Sequence, residues 1–208
     1  TRLEDELSMA ARLHVSRPTA RQALQRLVDR GLLTRRRGVG TIVSPRHVHR
    51  PMELTSLMRD LIDAGHKVHT TIQRYEARPT NVQEADILKI AEGTLITHIE
   101  RTRFANDEPI AVLTNFIPTD IAPTMQELES ASLYDLMRER GVTLASARQV
   151  IGARSATTKE AKLLSEHRGA ALLTTQRTTY DPTGRIVEYG NHIYRASRYS
   201  FEASLFAQ

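Results

Sequence analysis

The stretch VSRPTARQALQRLVDRGLL, residues 15–33, together with RRRGVGTIV, residues 35–43, decides the fold of the N-terminal part of this chain. Ser16 is a good helix N-cap, and Pro18 fits the first turn of the helix that follows. Apolar side chains then recur at helical spacing and form one stripe, made of Ala20, Ala23, Leu24, Leu27 and Val28. Gly31 supplies a C-terminal stop. The stretch therefore predicts an amphipathic helix.

A second helix is predicted immediately before it. Apolar residues again have helical spacing until His14-Val15 breaks the pattern, and these are Leu7, Ala10, Ala11 and Leu13. Two helices joined by a tight turn, the second polar at its N-terminal end, form the arrangement that places a recognition helix in the DNA major groove. Arg and Gln side chains there can make bidentate contacts to guanine and adenine.

Residues 32–43 follow as a strand, a tight basic turn and a second strand. An isolated run of three arginines is most often a solvated surface. Behind a helix-turn-helix we interpret it as a wing that inserts into DNA, because Gly38 and Gly40 let the backbone approach a phosphate closely. The glycine pair is not a dinucleotide fingerprint, since no third glycine and no helix follow.

The charge distribution supports a nucleic-acid-binding head. Residues 1–50 hold eleven Arg and no Lys against four acids, whereas the remaining residues carry 18 basic against 20 acidic side chains. The chain has no cysteine, which excludes disulfides and thiol chemistry. No apolar run approaches the ~20 residues that span a bilayer, and no signal peptide is visible. We therefore expect a cytoplasmic protein that binds no membrane.

Residues 3–43 resemble the DNA-binding domain of the GntR family of bacterial transcription regulators. The resemblance implies a winged helix-turn-helix that contacts double-stranded DNA through its recognition helix and wing, here Ser16, Arg17, Thr19, Arg21, Gln22, Arg35, Arg36, Arg37, Gly38 and Gly40. It also implies one further helix before Leu3. The chain departs from the family at Leu3-Glu4-Asp5-Glu6, where Leu-Pro-Ser-Glu is usual, and at His14, where Gly is favoured.

Residues 44–53 have no periodicity and contain two prolines, so they are predicted to be a linker. The sequence thus divides into a DNA-binding domain at 1–43, this linker, and a second domain at 54–208. His47 and His49 are better explained as solvated linker residues than as a metal site, because no further ligand lies at a suitable spacing.

The second domain contains an internal repeat. Residues 77–117 match residues 153–193 at a shift of 76 positions without a gap, including Arg101-Thr102 with Arg177-Thr178 and Asn115 with Asn191. Each unit is predicted to run strand, helix, strand, turn and strand, with helices at about 81–91 and 157–166 and turns at 105–108 and 181–184. Further helices are predicted at about 54–64 and 132–140.

Connections this short favour antiparallel pairing, so we expect an α+β domain in which both units form one antiparallel sheet with flanking helices. Approximate two-fold symmetry follows from the repeat. The sequence shows no Gly-x-Ser-x-Gly, no His-Glu-x-x-His and no P-loop, so nothing in it requires catalysis. No cofactor is expected.

This domain resembles the UTRA domain, the effector-binding domain of the HutC subgroup of GntR regulators. The matching stretches are LTSLMRDLIDAG (54–65), SLYDLMRERGV (132–142), QRTTYDPTGRIVEY (176–189) and IYRASRYSFE (193–202). The resemblance implies the fold of chorismate lyase, a homodimer, and binding of a small molecule that alters DNA affinity.

Candidate effector-binding residues follow from strand alternation and from the resemblance. Arg101 and Arg103 alternate onto one strand face and can converge on one anion, although a solvated outer face is the commoner role of strand arginines. Ser130 and Ser132 precede a predicted helix, where Ser132 also suits a routine N-cap. By resemblance these residues and Ser56 hold an acidic group of the effector, a phosphate or carboxylate, while Glu188 and Tyr194 contact its polar remainder.

Leu113 stands where many sugar-phosphate-binding members have Glu, which argues against an amino sugar phosphate as effector. We interpret the chain as a ligand-responsive transcription regulator, in this family usually a repressor, that acts on a palindromic operator. Two alternatives are an enzyme on the chorismate-lyase-like fold and a DNA-binding protein with a ligand-free dimerisation domain.

Overall fold

The computed structural model describes residues 3–29, 33–36, 40–43, 48–51 and 54–202. The chain forms two compact units, Thr1–His47 and Val48–Gln208. Within the described ranges, no helix combines the length and the apolar character that crossing a membrane would require.

The first unit contains two helices and a two-stranded antiparallel sheet, with α1 at Glu6–Arg12, α2 at Arg17–Asp29, β1 at Leu33–Arg36 and β2 at Gly40–Val43. Asp5 caps α1 by accepting hydrogen bonds from the backbone N–H groups of Leu7 and Ser8 at 3.0 and 2.9 Å. The buried apolar side chains of the described residues in this unit are aliphatic and comprise Ala10, Ala20, Leu24 and Leu33. His14 adopts φ of +53°, a left-handed conformation in which glycine, the residue that the resemblance favours there, would be unstrained.

The second unit is built on a six-stranded sheet in the order β4-β5-β6-β9-β8-β7, and every pairing in it is antiparallel. Its strands are β4 at Val68–Pro79, β5 at Leu95–Ala105, β6 at Glu108–Pro118, β7 at Ser146–Ser155, β8 at Ala171–Tyr180 and β9 at Ile186–Arg195. The predicted single antiparallel sheet is confirmed.

Helices cover both faces of this sheet: α3 at Leu57–Asp63, α4 at Val82–Leu88, α5 at Met125–Ser130, α6 at Leu133–Glu139 and α7 at Thr158–Leu163, with a 3-10 turn at Thr119–Ile121. Side chains of α3, α5 and α6 pack on one face, where Leu61, Leu128 and Met137 are fully buried. Side chains of α4 and α7 pack on the other face, around Leu88 and Ala161. The sequence predicted four of these helices and missed α5.

The internal repeat is real, but its ungapped alignment is wrong in the third strand. Arg101 pairs with Leu113, whereas its equivalent Arg177 pairs with Gly190, so the third strands are related by 77 positions. The second hairpin is one residue longer, because its strands separate after Tyr180 and rejoin at Ile186. Equivalent residues Thr114 and Asn191 consequently lie directly opposite each other, and the approximate two-fold axis passes between them.

Part of the predicted linker is also wrong. Val48–Pro51 forms strand β3, which pairs in parallel with β10, Tyr199–Glu202, near the end of the described chain. A parallel partner about 150 residues away leaves no local periodicity to detect, and the two prolines of residues 44–53 suggested irregular structure instead. Pro51 is compatible with a strand because it closes one in a two-stranded sheet.

Candidate functional site

The N-terminal half of α2 presents a polar surface. Ser16 caps the helix by accepting a hydrogen bond from the Thr19 backbone N–H at 3.3 Å, and its hydroxyl lies 2.8 Å from that of Thr19. An open groove follows, lined by Arg17, Pro18, Thr19, Arg21, Gln22 and Gln25. The structure therefore brings together all the predicted recognition-helix residues and adds Gln25.

Arg21 of α2 also contacts α1. Its Nε donates a hydrogen bond of 3.0 Å to Glu6 Oε2, which ties α2 to α1 while most of the Arg21 side chain stays exposed. Of the predicted wing residues, Arg35 and Arg36 belong to β1 and Gly40 opens β2. Arg37 and Gly38 lie outside the described residues.

The second unit contains a small cavity of about 50 Å³ on the face that carries α3 and α6. Its floor is formed by side chains from four adjacent strands, Arg101 and Arg103 on β5, Leu113 and Asn115 on β6, His192 and Tyr194 on β9, and Arg177 on β8. Its cover comes from the start of α3, where Ser56 is the N-cap, and from Leu133 and Tyr134 of α6. The cavity thus spans both repeat units.

Arg101 and Arg103 are the most deeply buried cations of this cavity, each only 2% exposed. Nη2 of Arg101 donates to Asn115 Oδ1 at 2.8 Å, and Nη1 of Arg103 donates to Thr70 Oγ1 at 2.5 Å. Nε and Nη1 of Arg101 and Nε of Arg103 have no hydrogen-bond partner among the described residues. Unpaired buried donors are costly, so these N–H groups are suited to an acceptor from outside the chain.

Burial lowers the pKa of Arg101 to about 10, and burial with the nearby charge of Arg101 lowers the pKa of Arg103 to about 9. Both guanidinium groups therefore remain charged at neutral pH. Two like charges held in a dry site favour an anion between them, because a bound anion offsets the cost of burying them.

Glu188 lies beside the cavity, on the same face of β9 as His192 and Tyr194, and is fully buried. Its carboxylate accepts hydrogen bonds from Asn115 Nδ2 at 2.6 Å, Thr179 Oγ1 at 2.7 Å and the Tyr134 hydroxyl at 3.2 Å. Burial raises the pKa of Glu188, and burial raises the pKa of Tyr134 to about 12. Glu188 thus orients Asn115 and Tyr134, which line the cavity, and is not itself among the lining residues.

A third arginine completes the site. Arg177 lines the cavity, its Nη1 lies 3.5 Å from the Tyr134 hydroxyl, and its Nε donates to Gln149 of β7 at 2.8 Å. Sequence reasoning did not select Arg177 as a site residue, although the repeat aligns it with Arg101. Asn115, Tyr134 and His192 were missed as well.

Two of the three predicted serines lie elsewhere. Ser130 ends α5, is exposed, and its hydroxyl is 3.5 Å from the Glu127 carbonyl. Ser132 is buried as the N-cap of α6, where it accepts from Asp135 N–H at 3.4 Å. Neither is among the residues that line the cavity, whereas Ser56, Arg101, Arg103 and Tyr194 are.

The lining of the cavity is basic. Among the lining residues that the structure describes, three are arginines and none is a carboxylate. No group of three His, Cys, Asp or Glu side chains in the described ranges is arranged to hold a metal. Guanidinium, hydroxyl and amide groups around an apolar wall of Leu113 and Leu133 fit a small ligand with one charged end.

Two family models match the chain. Residues 63–200 match the UTRA domain, and residues 2–43 match the bacterial regulatory proteins of the gntR family. The transcriptional repressor NagR of Bacillus subtilis is 34% identical over 96% of this chain and 83% of its own length. The probable transcriptional regulator PhnF of Escherichia coli is 31% identical over 96% of this chain and 84% of its own.

Solved structures agree with the fold. PhnF from Mycobacterium smegmatis superposes with a TM-score of 0.87 at 24% identity, covering 99% of this chain and 92% of that one. A putative transcriptional regulator from Streptomyces coelicolor is 46% identical, with a TM-score of 0.63 over 69% of this chain and 96% of that one.

Proposed function

This chain belongs to the gntR family of bacterial regulatory proteins and carries a UTRA domain, and from this premise we propose that it is a homodimeric repressor whose affinity for a palindromic operator changes when a small anionic effector binds. Its relatives are transcription regulators, among them repressors, which favours this function over an enzyme on the same fold. DNA and a small-molecule effector are the partners of the family.

One observation carries the proposal for the effector. Three guanidinium nitrogens, two on Arg101 and one on Arg103, are buried at the cavity without a partner among the described residues. A phosphate or carboxylate supplies several acceptor oxygens at once and can satisfy them bidentately. Two relatives are named as the histidine utilization repressor and the mannosyl-D-glycerate system repressor, and both compounds carry a carboxylate.

Apolar walls set a second requirement. Leu113 pairs with Arg101 across the β5–β6 strands and faces the cavity beside it. An ammonium or polar amide group placed against Leu113 would lose its hydration without a partner, which costs about 1–3 kcal/mol. We therefore favour an effector whose end opposite the anion is not an amino sugar.

Dimerisation supports the palindromic operator. One recognition helix contacts few base pairs, and two-fold pairing doubles the site and requires two inverted half-sites. The polar groove of α2, with Arg17 and Gln22 exposed, is suited to base edges in each half-site.

The decisive experiment measures operator affinity by fluorescence anisotropy while candidate phosphates and carboxylates are added, with calorimetry for effector affinity. We expect an effector to change operator affinity about 5- to 150-fold in the wild type, which is 1–3 kcal/mol of coupling. Arg101→Met with Arg103→Met should abolish this response, and Arg103→Lys should weaken it because Lys lacks the planar fork.

Arg74→Met is the matched control, since Arg74 lies on β4 with its side chain about half exposed. An effector whose affinity is unchanged by the double substitution would show that the site is elsewhere. Leu113→Glu tests the apolar wall, and a gain of amino sugar phosphate binding would support the role given to Leu113.

A further inference from the structure

The edge strand β7 of the six-stranded sheet lacks the features that usually prevent pairing with another strand. β7 pairs with β8 through ten consecutive residues without a bulge, and it pairs with no other strand that the structure describes. Nearly all of β7 is exposed, including Val150 at 53% and Ile151 at 38%. The backbone N–H and C=O groups on its outer side point away from the sheet and can pair with a further strand. Long, regular edges that expose apolar side chains such as Val150 and Ile151 invite pairing with another strand.

The opposite edge is protected, which makes the difference informative. β4 occupies the position in the first repeat that β7 occupies in the second, yet its pairing shifts between Ile72 and Arg74, a bulge that interrupts a flat edge. β4 ends at Pro79, and the second half of the strand carries Arg74, Glu76 and Arg78. Bulges, prolines and charges are the usual devices that prevent edge pairing. β7 has no bulge and no proline. Arg154 of β7 and Arg78 of β4 are each paired with a glutamate of the following helix, so these two arginines do not distinguish the edges. Arg148 is the other charged residue of β7.

We propose that β7 pairs with β7 of a second copy of this chain, antiparallel and about a two-fold axis at Val150, so that the two sheets become one sheet of twelve strands. This rests on the homodimer of the proposed function and gives that dimer a location. A closed two-fold contact also removes the edge from both copies, whereas β7 against β4 would leave edges free and propagate.

The charges of β7, and the requirement that paired residues lie on the same face, select the register of the β7–β7 pairing. A two-fold axis perpendicular to the sheet places directly opposite each other only residues on the same face, which differ by an even number. Centring on Ile151 would set Arg148 against Arg154 of the other copy, a like-charge pair. Centring on Val150 sets Arg148 against Gly152 and Arg154 against Ser146, and keeps nine residues of each strand paired.

The same register connects the interface to the cavity. Gln149 would face Ile151 of the other copy, and Gln149 accepts the hydrogen bond from Nε of Arg177, which lines the cavity. Only one side chain therefore separates the anion site from the strand that joins the copies. A change at Arg177 on effector binding is transmitted directly to β7.

The test uses the full chain with charge exchange at the axis. Val150→Lys and Val150→Glu each place like charges opposite each other, so each variant should dimerise about tenfold more weakly than wild type in analytical ultracentrifugation. Mixing the two variants places Lys against Glu and should restore the dimer. Val82→Lys is the matched control, because Val82 is 64% exposed at the start of α4 and is not part of β7. Circular dichroism should show that both Val150 variants are folded.

Disulfide trapping gives an independent readout, since the natural chain has no cysteine. Val150→Cys should form a covalent dimer under mild oxidation, and Val82→Cys and Arg74→Cys should not. A wild-type dimer that survives Val150→Lys and is not trapped by Val150→Cys overturns the β7 interface and leaves the homodimer standing. A wild-type monomer overturns both. Trapping through Arg74→Cys alone would assign the contact to β4.

Discussion

At the residue scale, Gly190 shows how tightly the polar side chains beside the cavity pack against the backbone of β9. A Cβ atom at this position would lie 2.5 Å from His192 Nε2 and 2.6 Å from Glu188 Oε1. Both neighbours lie two residues away on the same strand face, so their side chains meet above the backbone of Gly190. The glycine is required by this close approach and not by an unusual φ.

Gly190→Ala should therefore displace His192 or Glu188 and break the 2.6 Å bond from Asn115 to Glu188. We expect a loss of about 1–3 kcal/mol in unfolding free energy, because overpacking combines with a buried acceptor left without its donor. Chemical denaturation measures the loss, and effector titration should show weaker binding. Gly152→Ala on exposed β7, with one contact of 3.0 Å to Thr174 Oγ1, serves as control. Equal losses in both variants would contradict this account.

Strand alternation predicted two of the residues that line the cavity, and the family resemblance added Ser56 and Tyr194. Arg101 and Arg103 share a face because strand residues alternate, and the structure places both in the cavity. Ser130 was misplaced because α5 occupies residues 125–130, so this serine ends one helix instead of opening the next. Glu188 was assigned to the effector, but its hydrogen bonds to Asn115, Thr179 and Tyr134 depend on the packing of β6, β8 and α6 around it, which no local pattern reports.

At the element scale, both repeats fix their helix to the preceding strand with the same pair of residues. Glu84 closes a capping box with Asn81 and binds Arg78 at the end of β4, and Glu160 does the same with Thr157 and Arg154 at the end of β7. Each glutamate thus satisfies a free N–H of a short helix and an arginine at once. Helices of six or seven residues are not stable alone, so these contacts help define where they begin.

The second of these pairs predicts a pH dependence. Hydrogen bonds from Arg154, with further ones from Thr157, lower the pKa of Glu160 from 4.5 to about 2. Because the folded-state pKa lies below the unfolded one, the stabilisation is complete above pH 4.5 and is lost as pH falls towards 2. Partial exposure of Arg154 reduces the contribution to about 1–2 kcal/mol.

Urea unfolding at pH 7, 5 and 3 measures this contribution. Glu160→Gln should be less stable than wild type at pH 7 by about 1–2 kcal/mol, and the difference should shrink at pH 3. Glu129→Gln on α5, at an exposed carboxylate, is the control. A Glu160→Gln deficit that stays constant across this range would exclude the ion pair as its origin.

At the scale of the whole molecule, two units with different chemistry share one chain. The repeat in the sequence was sufficient to predict the antiparallel sheet, because each hairpin is local. The pairing of β3 with β10 was not predictable, since it joins the start and end of the second unit. The charge break near residue 50 indicated the basic head but cannot report where strand pairing begins.

The head should bind DNA with separable contributions from base and phosphate contacts. Arg17→Ala should cost about 1–3 kcal/mol and relax sequence preference if Arg17 contacts a base edge. Arg36→Ala should weaken all sequences alike and lower the salt dependence of log K by about one unit. Anisotropy titrations at several salt concentrations measure both, with exposed Arg168→Ala of the second unit as control. Affinity that ignores both sequence and salt would contradict this function.

The extra residue in the second hairpin has a genetic consequence. Strand side chains alternate with period two, so a turn that is one residue longer presents the other half of the following strand to a given face. His192 and Tyr194 face the cavity for this reason, whereas Phe116, which the ungapped alignment matches to His192, stacks on His98 on the opposite face. Inserting or deleting a single codon in residues 181–185 would therefore turn the β9 side chains that face the cavity to the opposite face of the sheet, unless a bulge absorbs the change. No residue of β9 itself would need to be substituted.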